Sequence, residues 1–134
     1  MKFFLDTNIC IYFLKGKNEK VRATLMSKHP DEIKIPSIVK AELLYGAFKS
    51  KQKAENEEIV KKFLLPYEIV SFGSNESEEY AKLRTRLEFE GKIIGPNDLI
   101  IASTVMTHDG RLITNNEREF NRIESRTVEN WLGG

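Results

Sequence analysis

Apolar and polar positions change period several times along this chain, and each change marks a new element. Residues 2 to 5 read as a strand, followed by Asp6-Thr7-Asn8, whose side chains suit a helix start before Ile9 to Leu14. A second helix spans 18 to 28. Lys34-Ile35 is a short strand ending at Pro36, after which Ser37 can cap a helix to about Lys49. A polar helix runs from about 52 to Leu65. Tyr67 to Phe72 alternates like a strand and closes at Gly73, and a helix capped near Ser74 or Asn75 continues to Gly91. Gly95-Pro96 opens a helix ending near His108, with proline suited to the first turn. Asp109-Gly110 then turns into the strand Arg111 to Thr114. A short helix at 117 to 121, a strand at Thr127-Val128 and Trp131 folded onto the body complete the chain.

Strands separated by helical segments predict an α/β fold with a central, mostly parallel sheet of four to five strands, flanked by helices on both faces. In such folds ligands bind outside the carboxyl ends of the strands. The 134 residues suit one domain over 1–134, and no repeat or linker divides them. No uncharged apolar run reaches signal-peptide or membrane-spanning length, so the expectation is a cytoplasmic protein without membrane contact. Cys10, the one cysteine, lies among Ile9, Ile11 and Phe13 and reads as a small buried hydrophobe. With only His29 and His108 besides, a structural zinc site is excluded. The net charge of +1 conceals an asymmetry: residues 15 to 62 hold 12 Lys or Arg against 7 acids, and residues 63 to 134 hold 8 against 12. A basic half suits an anionic polymer, although ordinary solvated helix faces account for the same counts.

Some acids stand where structure alone does not call for them. Asp6 directly follows Phe3-Phe4-Leu5, at the carboxyl end of the first strand, and no Lys or Arg follows until Lys15. Capping the next helix is its bland alternative, but Thr7 or Asn8 can serve there. Glu42 borders an apolar stripe of Ile38, Ala41, Tyr45 and Phe48, and its neighbours three and four residues away offer no salt bridge. Gly46 beside it leaves space for a ligand. Most other glutamates, including Glu55, Glu57, Glu58, Glu76, Glu78 and Glu79, fall in solvated charge runs. Asp98 has Ile101, Ala102 and Val105 as helix-face neighbours, at a helix start that favours its ionised form. Asn116 and Glu119, which follow the strand ending at Thr114, are further candidate catalytic residues, although Glu119 equally suits pairing with Arg118 or Arg122 and Asn116 an ordinary turn.

Carboxylates converging on one crevice repel one another and raise their own pKa values unless a cation compensates them. Magnesium, with manganese as a substitute, prefers such oxygen ligands. Asp6 and Asp98 suit direct ligation and Glu42 ligation through water. One or two such ions can activate water for attack on phosphorus and stabilise the leaving oxygen. Thr114, Asn8 and Asn116 are placed to position water or phosphate.

Four segments in this order and spacing resemble the PIN-domain nucleases, and within them the VapC toxins of bacterial toxin–antitoxin pairs. They are Phe4-Leu5-Asp6-Thr7-Asn8, Ala41-Glu42-Leu43-Leu44-Tyr45-Gly46, Ile94-Gly95-Pro96-Asn97-Asp98-Leu99-Ile100-Ile101-Ala102 and Ile113-Thr114-Asn115-Asn116-Glu117-Arg118-Glu119-Phe120. The resemblance covers nearly the whole chain. It implies that Asp6, Glu42 and Asp98 correspond to three acidic active-site positions, with Asp6 and Asp98 binding magnesium. It also implies a homodimer, a VapB-like antitoxin whose tail reaches the groove, and structured RNA, tRNA foremost, as substrate. Tyr12 and Phe13 are candidate seats for an antitoxin helix, and core packing is the other explanation for them. This sequence has Asn116 where the family often carries aspartate, and Glu119 where a second aspartate is frequent. The departure points to one ion bound before RNA arrives.

Two other classes compete. A phospho-accepting receiver also puts acids at strand ends, but it requires adjacent acids after the first strand and a lysine after the last, and neither is present. A catalytically weak RNA- or partner-binding module is motivated by Asn116. Within the enzyme class DNA is an alternative substrate, because no feature of the sequence reads a 2′-hydroxyl.

Overall fold

The computed structural model describes residues 1–123 and 128–132. Its elements follow in the order β1 (Phe3–Leu5), α1 (Thr7–Lys15), α2 (Glu19–Ser27), a 3₁₀ turn (Pro30–Glu32), β2 (Ile33–Pro36), α3 (Ser37–Lys49) and α4 (Lys53–Leu64), then β3 (Glu68–Val70), α5 (Ser74–Phe89), α6 (Pro96–Thr107), β4 (Arg111–Ile113), α7 (Glu117–Phe120) and β5 (Val128–Glu129). The five strands form one sheet in the order β3-β2-β1-β4-β5, every pairing parallel. Thr127, expected in the last strand, lies outside the described residues.

Hydrophobicity decides which strand sits in the middle. A strand covered on both faces must be apolar at every position. In β1, Phe3, Phe4 and Leu5 are all buried, whereas the edge strands β3 and β5 are half-exposed. Phe3 pairs with both Ile33 and Arg111 in register, so β1 joins the two halves of the sheet. The chain builds outward from β1 to β2 and β3, then returns to the other side of β1 to add β4 and β5. Such a reversal leaves a crevice at the carboxyl ends of β1 and β4. Two close approaches fix this arrangement. Trp131 packs on Phe3 with ring centroids 5.7 Å apart, which seats the tail as expected. Gly110 lies so close to Phe4 that any Cβ there would overlap its ring and come within 3.2 Å of the Lys2 carbonyl.

Several local expectations are corrected. Ser37 is already the first helical residue of α3; Pro36 occupies the cap position, and no side chain caps the helix. Gly73, rather than Ser74 or Asn75, caps α5. The inward face of α3 is Val39, Leu43 and Ala47, while Tyr45 and Phe48 of the expected stripe are 64% and 49% exposed. This helix is apolar on nearly every side, so periodicity alone does not select the face that packs; contact with α4 and α1 does. Glu76 is not solvated but 7% exposed, accepting from Gly73 N at 2.9 Å and bonded to His108 Nε2 at 2.8 Å. Phe13 is half-buried against Phe63, and Tyr12 is half-buried with its hydroxyl 3.4 Å from Asn115 Nδ2, so neither is an exposed patch.

Candidate active site

Asp6 is the first residue beyond β1, and its backbone N–H still donates to Ile113 of β4 at 3.1 Å. Its side chain accepts from Ile9 N at 2.9 Å, so Asp6 itself caps α1, a role the sequence also allowed Thr7 or Asn8 to fill. Only a residue in extended backbone just before the first turn can reach that N–H; Thr7 and Asn8 are already helical. Asp6 is 5% exposed. Burial pushes its carboxyl up to about 6, helped by the nearby Glu42 charge and opposed by bonds from the Thr114 hydroxyl and the Ile9 and Asn8 backbone.

Glu42 is half-buried on α3, and the Thr7 hydroxyl donates to its Oε1 at 2.8 Å. Thr7 ties the second acid to the residue beside the first, a role for which the sequence offered no signal beyond its place after Asp6. Gly46, one turn on, has no atom within 4 Å of where a Cβ would stand, so the space beside Glu42 is open.

Asp98 occupies the first turn of α6 and is half-buried. Burial pushes its carboxyl up to about 6, with further repulsion from Glu119, Asp6 and Glu42, in that order. All four acids therefore share one field, although they come from the β1 end, α3, α6 and α7. Asn97 makes no capping bond; Gly95 caps the helix through its backbone. Glu119 pairs with neither Arg118 nor Arg122. Its Oε1 accepts from Gly95 N and its Oε2 from Asn116 Nδ2, both at 2.8 Å. Thr114 is fully buried, and its hydroxyl accepts from Asn116 N at 2.9 Å and bonds to Asp6. Asn8 is exposed on the first turn of α1.

Among the described residues no Lys, Arg or His forms an ion pair with Asp6, Glu42, Asp98 or Glu119. Nor, among them, do three acid, histidine or cysteine side chains stand as a ready-made ligand set for one ion. Magnesium does not require one, since it keeps several waters and takes one or two carboxylates from the protein. The donor chemistry fits: all oxygen, paired with no cation of the described residues, with two carboxyls near pKa 6 that a hard cation would hold ionised.

The acids gather at the switch point of a parallel sheet, and the PIN domain family model matches residues 3–125. The chain belongs to the PIN domain family, among its VapC ribonucleases. It is 43% identical over 133 residues to Ribonuclease VapC2 of Rickettsia felis, covering 98% of both chains. It is 34% identical over 131 residues to the tRNA(fMet)-specific endonuclease VapC of Salmonella typhimurium, again covering 98% of both. In three dimensions it is similar to a chain of Rickettsia felis VapBC2 bound to a promoter DNA fragment, with a TM-score of 0.90 and 42% identity over 98% of this chain and 99% of that one. A chain of the DNA-bound VapBC of Salmonella typhimurium matches with a TM-score of 0.91 and 34% identity, covering 98% of each. The receiver alternative is excluded. No described helix is long and apolar enough to cross a membrane.

Proposed function

We propose that this chain is a magnesium- or manganese-dependent endoribonuclease toxin that cuts structured RNA, with tRNA the foremost candidate. A VapB-type antitoxin neutralises it, and it works as a homodimer. The observation that carries the catalytic reading is the meeting of Asp6, Glu42 and Asp98 in one crevice, with no Lys, Arg or His among the described residues in an ion pair with them. The tRNA and antitoxin readings are supported by the names of its relatives, a tRNA(fMet)-specific endonuclease and VapBC complexes.

Asp6 and Asp98 would hold the cation, and Glu42 would reach it through water. When bound, the ion supplies charge stabilisation at the phosphate and makes water acidic enough to serve as nucleophile near neutral pH. Above about pH 6 both aspartates are ionised and ready to bind it. Glu42 Oε1 is held by the Thr7 hydroxyl, so Oε2 is the atom oriented to take a proton from the attacking water. The first-turn N–H groups of α6 add a positive end that favours a phosphate oxygen. The basic segment 15 to 62 would steer RNA toward the acids, which would otherwise repel it.

The test is cleavage of cellular RNA by purified protein with Mg²⁺ or Mn²⁺ and with EDTA, followed by sequencing of new RNA 5′ ends against an Asp98→Ala control. Cation-dependent cuts absent from the control are expected. No cleavage, together with a growth effect that Asp98→Ala leaves unchanged, would establish a binding module instead.

A further inference from the structure

Resting on the nuclease reading above, we infer that Glu119 is a positioning residue. Its bonds to Gly95 and Asn116 hold the two walls of the crevice at their working separation, and Asn116 is the neutral partner this latch requires. One wall is the β1–β4 side, where Asp6 is bonded to the Thr114 hydroxyl. The other is the first turn of α6, which carries Asp98. A continuous line of hydrogen bonds joins them. The Thr114 hydroxyl accepts from Asn116 N at 2.9 Å, Asn116 Nδ2 donates to Glu119 Oε2 at 2.8 Å, and Gly95 N donates to Glu119 Oε1 at 2.8 Å. Gly95 is the residue whose carbonyl starts α6, accepting from Leu99 N at 2.9 Å, so fixing its peptide fixes the helix that carries Asp98.

A second tie runs beside the first, because Arg122 Nη1 donates to the Ile93 carbonyl at 2.5 Å. The segment 93–95 is thus held at two points by residues three apart, 119 and 122. Gly95 also sits between the two acids: a Cβ there would be 3.8 Å from Asp98 Oδ2 and 3.9 Å from Glu119 Oε1. Both Glu119 oxygens are already engaged by N–H donors, which suits a strut better than a primary ligand. An ionised aspartate at position 116 has no proton to donate. It would lose the bond to Glu119 and set a second negative charge beside it, so asparagine and glutamate form a matched pair.

The latch and a charge-donating role separate cleanly. Glutamine at 119 still offers Oε1 to Gly95 N, and a flipped Asn116 amide can accept from its Nε2; alanine offers nothing. The measurement is Gly95 amide hydrogen exchange by NMR on the free protein, with kcat and KM for RNA cleavage alongside. In E119A, Gly95 should exchange about tenfold faster or more. There kcat should fall by about tenfold to a hundredfold with KM nearly unchanged, as misplacing one wall by about an ångström implies. E119Q should recover most of both losses. N116D should weaken both readouts, and N116D/E119Q should restore them, because the introduced glutamine donates to the introduced aspartate. Unchanged Gly95 exchange in E119A, or E119Q as damaged as E119A, would overturn the latch. Exchange is read without substrate, so it decides the latch even if the wild type cuts no RNA, a result that would overturn the nuclease reading alone.

Discussion

Replacing Asp6 by asparagine removes the charge at the centre of the crevice and keeps the acceptor that caps α1. The native state holds the Asp6 carboxyl at about 6 against an ordinary 3.8, mainly through burial. Its proton is therefore held more tightly in the folded chain than in the unfolded one. Between those two values the folded state binds more protons, so stability falls as pH rises through the window from about 4 to about 6 and stays lower above it. At about 1.4 kcal/mol per unit, a shift of about two units corresponds to roughly 3 kcal/mol at pH 8. The amide in Asp6→Asn has to find a partner for its N–H groups, which offsets part of that. A net gain of about 1 to 2 kcal/mol remains, or roughly 3 to 10 °C in Tm for a chain of this size. The assay is thermal and urea unfolding of both proteins in EDTA at pH 4.5 and pH 8. The variant should be more stable at pH 8, with most of its advantage gone at pH 4.5, while cleaving no RNA. A cation at a hundred times its Kd should then stabilise the wild type alone, by about 2.7 kcal/mol, and reverse the order. A variant less stable than the wild type at pH 8 in EDTA, or one whose advantage ignores pH, would refute the argument that Asp6 is a buried, uncompensated charge.

Asp98→Ala should abolish cleavage and toxicity with the far-UV circular dichroism unchanged, and Glu42→Gln should lower kcat because its proton-accepting oxygen is lost. Thr114→Val removes a bond that lowers the Asp6 pKa, so the acid limb of the pH–rate profile should move to higher pH; an unmoved limb would show that Thr114 does not act on Asp6. Gly110→Ala should destabilise the fold by about 1 to 3 kcal/mol by forcing apart β4 and the Phe4 ring, measured by urea denaturation. Calorimetric titration of the apo protein should find one tight Mg²⁺ per chain; two would show that the neutral Asn116 does not limit the site.

Much of this protein is legible in a single pass along its sequence, because the relevant interactions are local. Hydrophobic period separates strand from helix, and the continuous apolar run Phe3-Phe4-Leu5 marks the strand that lies at the centre of the sheet. Asp6, Glu42 and Asp98 stand out because no charged neighbour within a helical turn explains them. Of the three, only Asp6 directly follows a strand and so falls at the carboxyl edge of the sheet by strand order alone; Glu42 and Asp98 lie on α3 and α6, and the packing of those helices brings them to it.

What tertiary structure decided are the choices that sequence leaves degenerate. The helix α3 is apolar on more than one side, and only its packing turned Val39, Leu43 and Ala47 inward and left Tyr45 exposed. Glu76 sits in a run of acids and reads as solvated, yet a histidine 32 positions away and the Gly73 N–H hold it buried. The bond from Gly95 to Glu119 spans 24 positions, and the bond from Thr7 to Glu42 spans 35. Periodicity reports how a residue relates to its own turn. Which distant donor comes to meet a carboxylate depends on how the sheet and helices close around it, and no local pattern carries that information.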